Sequence, residues 1–431
     1  MTRTPFPLVG AQLRTHHPRR PSWLKLACIT AAASHLCVAS AQAQTSPLRQ
    51  VFDAAWAMQP EAVALATRQA AASAEQQAAN AWTPWPAAVE LSNQTDRLNR
   101  NVGMQELELG VSVPLWLPGE RNRSQTLAAA QQRALDSRTA AARLKLAGAV
   151  REAWWAWQRA AAELDAAQAQ LRTARTTATD AGKRVKAGEL ARADQHQADS
   201  AVAAAEGLVA QASAAQAGAL QQLAALTGLN TSRLIDAHQA IGDAGGEPPP
   251  ADTSEPGHAA LQALQDSAAA SEAAALLAAT QQGASPELKL ATTRTRSAAG
   301  EPTQQTWTLG VRWPFGGSAA QSARQANARA DALEQQALVA LERQRLSTER
   351  AAAQARTEAA RAQLAAAQRR AQLAVETRGF FEKSFRLGET DLPTRLRIEA
   401  DAADAERQAA RARIDLAAAI SAWRQALGLL P

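Results

Sequence analysis

Landmark residues in the first half of this chain recur in the second half at a constant offset of 200 positions. Pro86 matches Pro286; Gly110, Val111 and Pro114 match Gly310, Val311 and Pro314; Gly188 and Glu189 match Gly388 and Glu389; Gly228 and Leu229 match Gly428 and Leu429. Glycine and proline make up only about 7% and 5% of average proteins, so agreement at this many of them is not expected by chance. The chain is a tandem duplication. Its period far exceeds the few tens of residues of a solenoid repeat, so each copy is a whole architectural unit.

Each unit opens with a helical stretch, Leu48 to Trp82 and His258 to Gln282, rich in alanine, glutamine and glutamate and with no interior glycine in either. The period then changes. Leu107, Leu109, Val111, Val113 and Leu115 alternate with Glu106, Glu108, Gly110, Ser112 and Pro114, and Trp307, Leu309, Val311, Trp313 and Phe315 alternate with Thr308, Gly310, Arg312 and Pro314. A partner strand precedes each, through Val89 and Leu91 and through Leu288 and Leu290, with polar loops Asp96 to Gly103 and Ser297 to Pro302 closing two hairpins. A strand of about ten residues crosses a bilayer when tilted, and one apolar with one polar face suits a wall between lipid and water. Trp82, Trp85, Trp116, Trp313 and Phe315 cluster at strand ends, where interfacial girdles sit. The alternative is two ordinary hairpins packed on a soluble core. If the strands do enter lipid, four cannot close a barrel, which takes about eight at minimum, and open edges are not tolerated there. Such a chain must oligomerise.

After each hairpin the helical period returns. From Glu120 to Lys186 there is no proline, and only Gly148 and Gly182 interrupt a helix of roughly 100 Å. Val150, Trp157, Leu164, Leu171, Ala178 and Val185 form a heptad interleaved with Ala153, Ala160, Ala167, Ala174 and Ala181, a pattern that supercoils helices at close approach. Ala353, Ala360, Ala367 and Ala374 keep the alanine line in the second unit. Return helices follow the glycine turns, from Leu190 to Leu226 and from Leu392 to Leu427, covering about half of each outgoing helix. Each unit is thus a rod with its hairpin at one end and its glycine turn at the other.

The N-terminus reads as a secretory signal over residues 1–43: Arg19, Arg20 and Lys25 precede the apolar run Leu26 to Val38, and Ala41-Gln42-Ala43 offers a cleavage site. The pair Arg19-Arg20 also resembles a twin-arginine signal, with its aromatic displaced by one place. This segment carries five basic residues and no acid, so the formal charge of +6 falls to +1 without it, and nucleic acid is not an expected partner. Cys28 and Cys37 both lie within it, which leaves the mature chain no disulfide or thiolate site. Residues 44–229 form the first repeat, 230–257 a linker rich in glycine and proline, and 258–431 the second repeat.

These features together resemble the TolC-like outer membrane efflux proteins, the exit ducts of Gram-negative pumps. The resemblance rests on Leu109-Gly110-Val111 with Pro114 and Leu309-Gly310-Val311 with Pro314, on the turns Val185-Lys186-Ala187-Gly188-Glu189 and Phe385-Arg386-Leu387-Gly388-Glu389, and on the repeat ends at Gly228-Leu229 and Gly428-Leu429. It implies a mainly α fold with a small β part: a homotrimer whose hairpins build a twelve-stranded outer membrane β-barrel above a periplasmic α-barrel. It implies three kinds of partner: a periplasmic membrane-fusion adaptor, an inner-membrane pump of the resistance-nodulation-division type, and outer membrane lipid. The Arg386-Leu387-Gly388-Glu389 turn looks most like the CzcC-type branch, which serves metal-exporting pumps.

In this family the turns meet the adaptor, which assigns docking to Ala187, Gly188, Glu189, Leu190, Leu387, Gly388, Glu389 and Thr390. A helix-stopping glycine is the purely structural reading of the same turns. Family members close the periplasmic end with acidic residues past the second turn, where this chain has Thr394 and Arg397, while Asp194 and Asp199 follow the first. Asp194, Thr394 and Arg397 are therefore the candidate gate, with an Asp194–Arg397 latch or an ordinary solvated helix surface as the alternatives.

Trp154, Trp155 and Trp157 read as packing against segments bearing Trp56 and Trp423. His196, His238 and His258 are scattered without metal-ligand spacing, and no nucleophile–base pair, phosphate loop or carboxylate cluster marks an enzyme or a cofactor site. Two other readings remain beside an efflux duct: a type I protein secretion duct, and a periplasmic coiled-coil adaptor or scaffold.

Overall fold

The structure is a computed structural model of the 431-residue chain and describes residues 46–99, 101–239, 246–250, 257–281, 283–316 and 318–431. The segment 1–43, expected from the sequence to be a secretory signal, lies outside the described residues. Elements run α1 (Pro47–Ala57), α2 (Pro60–Asn80), β1 (Ala88–Thr95), β2 (Gln105–Pro114), α3 (Glu120–Lys186), α4 (Arg192–Thr227), α5 (Thr231–Gln239), α6 (Ala259–Thr280), β3 (Glu287–Arg296), β4 (Gln304–Arg312), α7 (Ala319–Arg386) and α8 (Leu392–Ala426). The fold is mainly helical with one small sheet, and the duplication is visible in it: α2-β1-β2-α3-α4 is followed by α6-β3-β4-α7-α8. The expected opening helix from Leu48 to Trp82 is two helices. Pro60 stands at the first helical position of α2 and has no amide to donate, so α1 stops at Met58 and the chain restarts.

The two hairpins join edge to edge into one antiparallel sheet of order β1-β2-β3-β4. Gly110 sits opposite Glu90 and Ala291, and Gly310 sits opposite Lys289. One face carries Val89, Leu91, Leu107, Leu109, Val111, Leu288, Leu290, Trp307, Leu309 and Val311, all exposed in the single chain. The other face is polar, and there Lys289 reaches Glu90 at 3.0 Å and Glu108 at 2.9 Å. The strand at each edge, β1 and β4, has an unpaired side.

Below the sheet, α3 with 67 residues and α7 with 68 are each roughly 100 Å long. α3 packs against α4, α6 and α8 and against α1 and α2 at its sheet-proximal half, while α7 packs against α8 and α6. Alanines make this closeness possible. Ala167, Ala174 and Ala181 of α3 and Ala198, Ala205 and Ala212 of α4 are buried at heptad spacing, as are Ala353 and Ala360 of α7. The larger core lies mid-rod: Trp154 and Trp157 meet edge to face, 5.4 Å between centroids, among Phe52, Val51, Leu223 and Leu234. Trp56 packs against this cluster as expected from sequence, and Trp423 is half-buried on α8.

The segment between repeats contains α5 and, at Glu247, a buried carboxylate. Arg151 of α3 grips it through both nitrogens, Nε to Oε2 at 2.9 Å and Nη2 to Oε1 at 2.6 Å; Arg424 Nε adds 3.1 Å, and the Ser421 hydroxyl donates to Oε2. Arg151 also donates to the Leu429 carbonyl at 3.0 Å. One acid thus ties the connecting segment to α3 and α8. Glu247→Ala leaves Arg151 buried without a counter-charge, so it is expected to cost about 3–5 kcal/mol of stability, against about 1 kcal/mol for Ser421→Ala. Thermal or denaturant unfolding followed by helical circular dichroism checks that ranking.

The closing glycine of each repeat is fixed by packing as well as by backbone. Gly228 (φ +67°) lies against Met58 and Gly428 (φ +79°) against His258, and a β-carbon on Gly228 would collide with the methionine. His258 caps α6, its Nδ1 accepting from the Ala260 amide at 3.3 Å. Burial pushes its proton affinity below the ordinary value, and the nearby Arg350 charge pushes the same way. The folded state therefore favours the neutral ring. This contribution is complete above the unfolded pKa and is lost as pH falls through it towards the lowered folded value. Between about pH 7.5 and pH 5 the melting temperature of the native chain is expected to drop further than that of His258→Asn, which keeps a capping acceptor but cannot titrate.

Candidate functional site: the glycine-turn tips and the exposed sheet

Both tips are built alike. At the first, Glu189 N–H donates to the Arg184 carbonyl at 2.9 Å and Gly188 N–H to Val185 at 3.0 Å; at the second, Glu389 N–H donates to Ser384 at 3.0 Å and Gly388 N–H to Phe385 at 3.2 Å. These are Schellman closures of α3 and α7, and they require the left-handed φ of +80° at Gly188 and +79° at Gly388. A β-carbon at either glycine meets nothing within 4 Å, so backbone alone demands glycine here and the space beyond is open. Ala187, Gly188, Glu189, Leu387, Gly388 and Glu389 are exposed, with Leu190 and Thr390 half-buried behind them. Lys183, Arg184 and Lys186, and Lys383 and Arg386, place positive charge in the last helical turns.

The residues past the tips differ between repeats for a local reason. In α8 Asp391 is the N-cap, accepting from Thr394 N–H at 3.2 Å, and its hydrogen bonds with the Thr394 side chain and amide hold its carboxyl below the usual range. In α4 the equivalent position is Ala191, which has no acceptor. There Asp194 supplies the carboxylate, reaching back to the Ala191 N–H at 3.1 Å. Each helix start therefore has one capping acid, at opposite ends of the same capping arrangement. Arg397 is exposed, and among the described residues no ion pair joins it to Asp194 within the chain.

A cluster that sequence reasoning missed lies just behind the tips. Phe385 is buried between two guanidinium groups, Arg184 at 4.6 Å and Arg395 at 4.7 Å from its centroid. Arg395 Nε donates to Glu399 at 2.9 Å, and Thr177 on α3 donates to the same carboxylate at 3.0 Å. Asp180 stands 3.9 Å from Arg395. This network ties α3 of the first repeat to α8 of the second. The i, i+4 spacing of Arg395 and Glu399 and the change from Val185 to Phe385 were its only traces in the sequence. Removing the Phe385 ring with Phe385→Ala is expected to destabilise the tip end by about 3–5 kcal/mol, read as faster amide hydrogen exchange in α3 and α8 near the tips while exchange around Trp154 is unchanged.

At the other end of the rod, Trp82, Trp85, Trp313 and Phe315 are exposed, and Trp116 is half-buried with Nε1 donating to the Ala81 carbonyl at 3.2 Å. All five gather at the helix-proximal end of the sheet. No group of His, Cys, Asp or Glu among the described residues could hold a metal ion. No described helix is long and apolar enough to cross a membrane.

Residues 51–229 match the sequence model of a family described as outer membrane efflux protein. No curated protein matches the sequence. Among solved structures, a membrane protein from Pseudomonas aeruginosa superposes with TM-score 0.69 at 19% identity over 89% of this chain and 93% of that one. The outer membrane protein VceC of Vibrio cholerae gives 0.67 at 18% identity over 88% and 96%. The open-state outer membrane channel MtrE of Neisseria gonorrhoeae gives 0.66 at 15% identity over 89% of both. The fold is that of the TolC-like channels. The family model thus matches the first repeat, and the second repeat shares the architecture of the first.

Proposed function

We propose that this chain is the outer membrane exit duct of a tripartite efflux system. The observation that carries the reading is the sheet: four strands with an exposed apolar face, unpaired at both edges, on the end of a rod roughly 100 Å long. Lipid accepts such strands only in a closed barrel, and three copies supply twelve. The rod then crosses the periplasm, with the glycine tips at its far end. The conduit is passive, and an inner-membrane pump of the resistance-nodulation-division type supplies the energy.

The tips are the adaptor-docking surface in this reading, because their glycine geometry is met without any intrachain packing and leaves Ala187, Glu189, Leu387 and Glu389 exposed. Replacing both Gly188 and Gly388 by valine is expected to abolish crosslinking to a periplasmic adaptor and export with it, while the assembled oligomer persists. Unaltered export by that double variant contradicts docking. Asp194, Thr394 and Arg397 sit one turn behind, where neighbouring copies would approach, and an Asp194–Arg397 latch belongs between chains rather than within one. For substrate, the Arg386-Leu387-Gly388-Glu389 turn favours the metal-exporting branch. A deletion strain is expected to become sensitive to Zn, Co, Cd or Cu; sensitivity to dyes and antibiotics instead contradicts that branch and leaves the duct intact.

A further inference from the structure

The apolar sheet face ends differently at its two boundaries. Reading across the strands, the helix-proximal boundary carries Leu115 and Trp313 with the exposed Trp82, Trp85 and Phe315 nearby, followed by rows of Val113, Leu288 and Val311, then Val89, Val111, Leu290 and Leu309, then Leu91, Leu109, Thr292 and Trp307. The next row on the same face is Asn93, Leu107, Arg294 and Gln305. From Trp313 to Gln305 is about 27 Å along the strand. At a tilt of about 40° that spans about 21 Å of the membrane normal, most of the apolar band of roughly 25 Å that a membrane barrel presents. Arg294 therefore stands near the outer edge of the hydrocarbon, one row beyond the exposed Trp307 on the same face.

Its surroundings leave its charge unanswered. Arg294 is exposed, and no ion pair or hydrogen bond of its side chain is found among the described residues. Thr95 and Gln105, in the row beyond, are neutral; Arg296 there is turned into the loop, donating to the Gly103 carbonyl at 3.3 Å and Gln105 Oε1 at 3.2 Å. Glu106 and Glu108 lie on the opposite face. Asp96, in the adjacent hairpin loop, is occupied by the Val102 and Gly103 amides at 2.6 and 3.3 Å. The loop also carries the exposed Arg97. β3 is flanked by β2 and β4 of its own chain, so in the closed barrel of the proposed duct its apolar face is turned to lipid. A guanidinium at a lipid boundary, bonded to no acid among the described residues although Glu301 is exposed in the following loop, is matched by phosphate, which it binds bidentately.

The geometry points to Arg294 as a binding site for the phosphate headgroups of the outer leaflet's anionic glycolipid, one row beyond the Trp307 ring. The inference rests on the membrane reading of the sheet. It is tested on the assembled protein purified in detergent, by native mass spectrometry after incubation with lipid A or with chemically dephosphorylated lipid A. Arg294→Gln is compared with Arg294→Lys, which keeps the charge but not the fork. Lipid A is expected to be retained about tenfold more by the native protein than by Arg294→Gln, the scale of one charge-assisted hydrogen bond, with the lysine variant between. Equal retention by native and glutamine proteins, or equal retention of the dephosphorylated lipid, overturns the site. Displacement of lipid A by millimolar inorganic phosphate also overturns it, by making this a general anion site. If the purified protein proves to be a soluble monomer, the membrane reading itself has failed, an outcome separate from a headgroup preference that is absent in an intact membrane oligomer.

Discussion

The structure depends on an imbalance of backbone hydrogen bonds. A four-stranded sheet leaves β1 and β4 with rows of unpaired N–H and C=O groups, and its apolar face removes water as a remedy on that side. A soluble protein would cover that face with a helix, yet α2, α3, α6 and α7 all run away from the sheet into the rod rather than across it. The missing cover and the missing strands are the same deficit. In the proposed duct further copies would meet both needs in one closed wall, with the polar face, including the Lys289 bridge between Glu90 and Glu108, turned to water inside.

The rod answers a different constraint: two helices about 100 Å long must stay parallel to their partners without a thick core. Alanine at heptad spacing brings the backbones close, so dispersion along the length substitutes for bulky side chains. Bulk is concentrated at two stations. One is the Trp154–Trp157 cluster mid-rod, which α1, α4 and α5 complete; the other is Phe385 between Arg184 and Arg395 near the tips. Between them the helices are held mainly by small residues and by ion pairs such as Arg407 with Glu163 at 3.2 Å, whose exposed members contribute little individually. Stiffness is therefore uneven along the rod.

Much of this was legible in the sequence, and the reasons are physical. The two-residue period of Leu107 to Val113 located β2 because a strand in a wall must alternate, and the glycine turns located the tips because only left-handed backbone closes those helices. Pro60 was overlooked within a strongly helical composition, although its missing amide splits the opening helix in two. The contrast between Asp194 and Thr394 was visible, but its cause required structure: Ala191 and Asp391 exchange the capping role, so the acids move. Glu247 and Arg395 were illegible for a different reason. Arg151 and Thr177, which they meet across the fold, lie far away in sequence, and the i, i+4 pair of Arg395 with Glu399 does not by itself mark a charge that will be buried.

The mass of the assembled particle tests the central claim most directly. Native mass spectrometry of the protein extracted from outer membranes in detergent is predicted to show three chains in one complex, enough strands to close the wall and leave no edge. A monomer recovered without detergent from the soluble fraction, with its sheet edges still unpaired, would contradict the account.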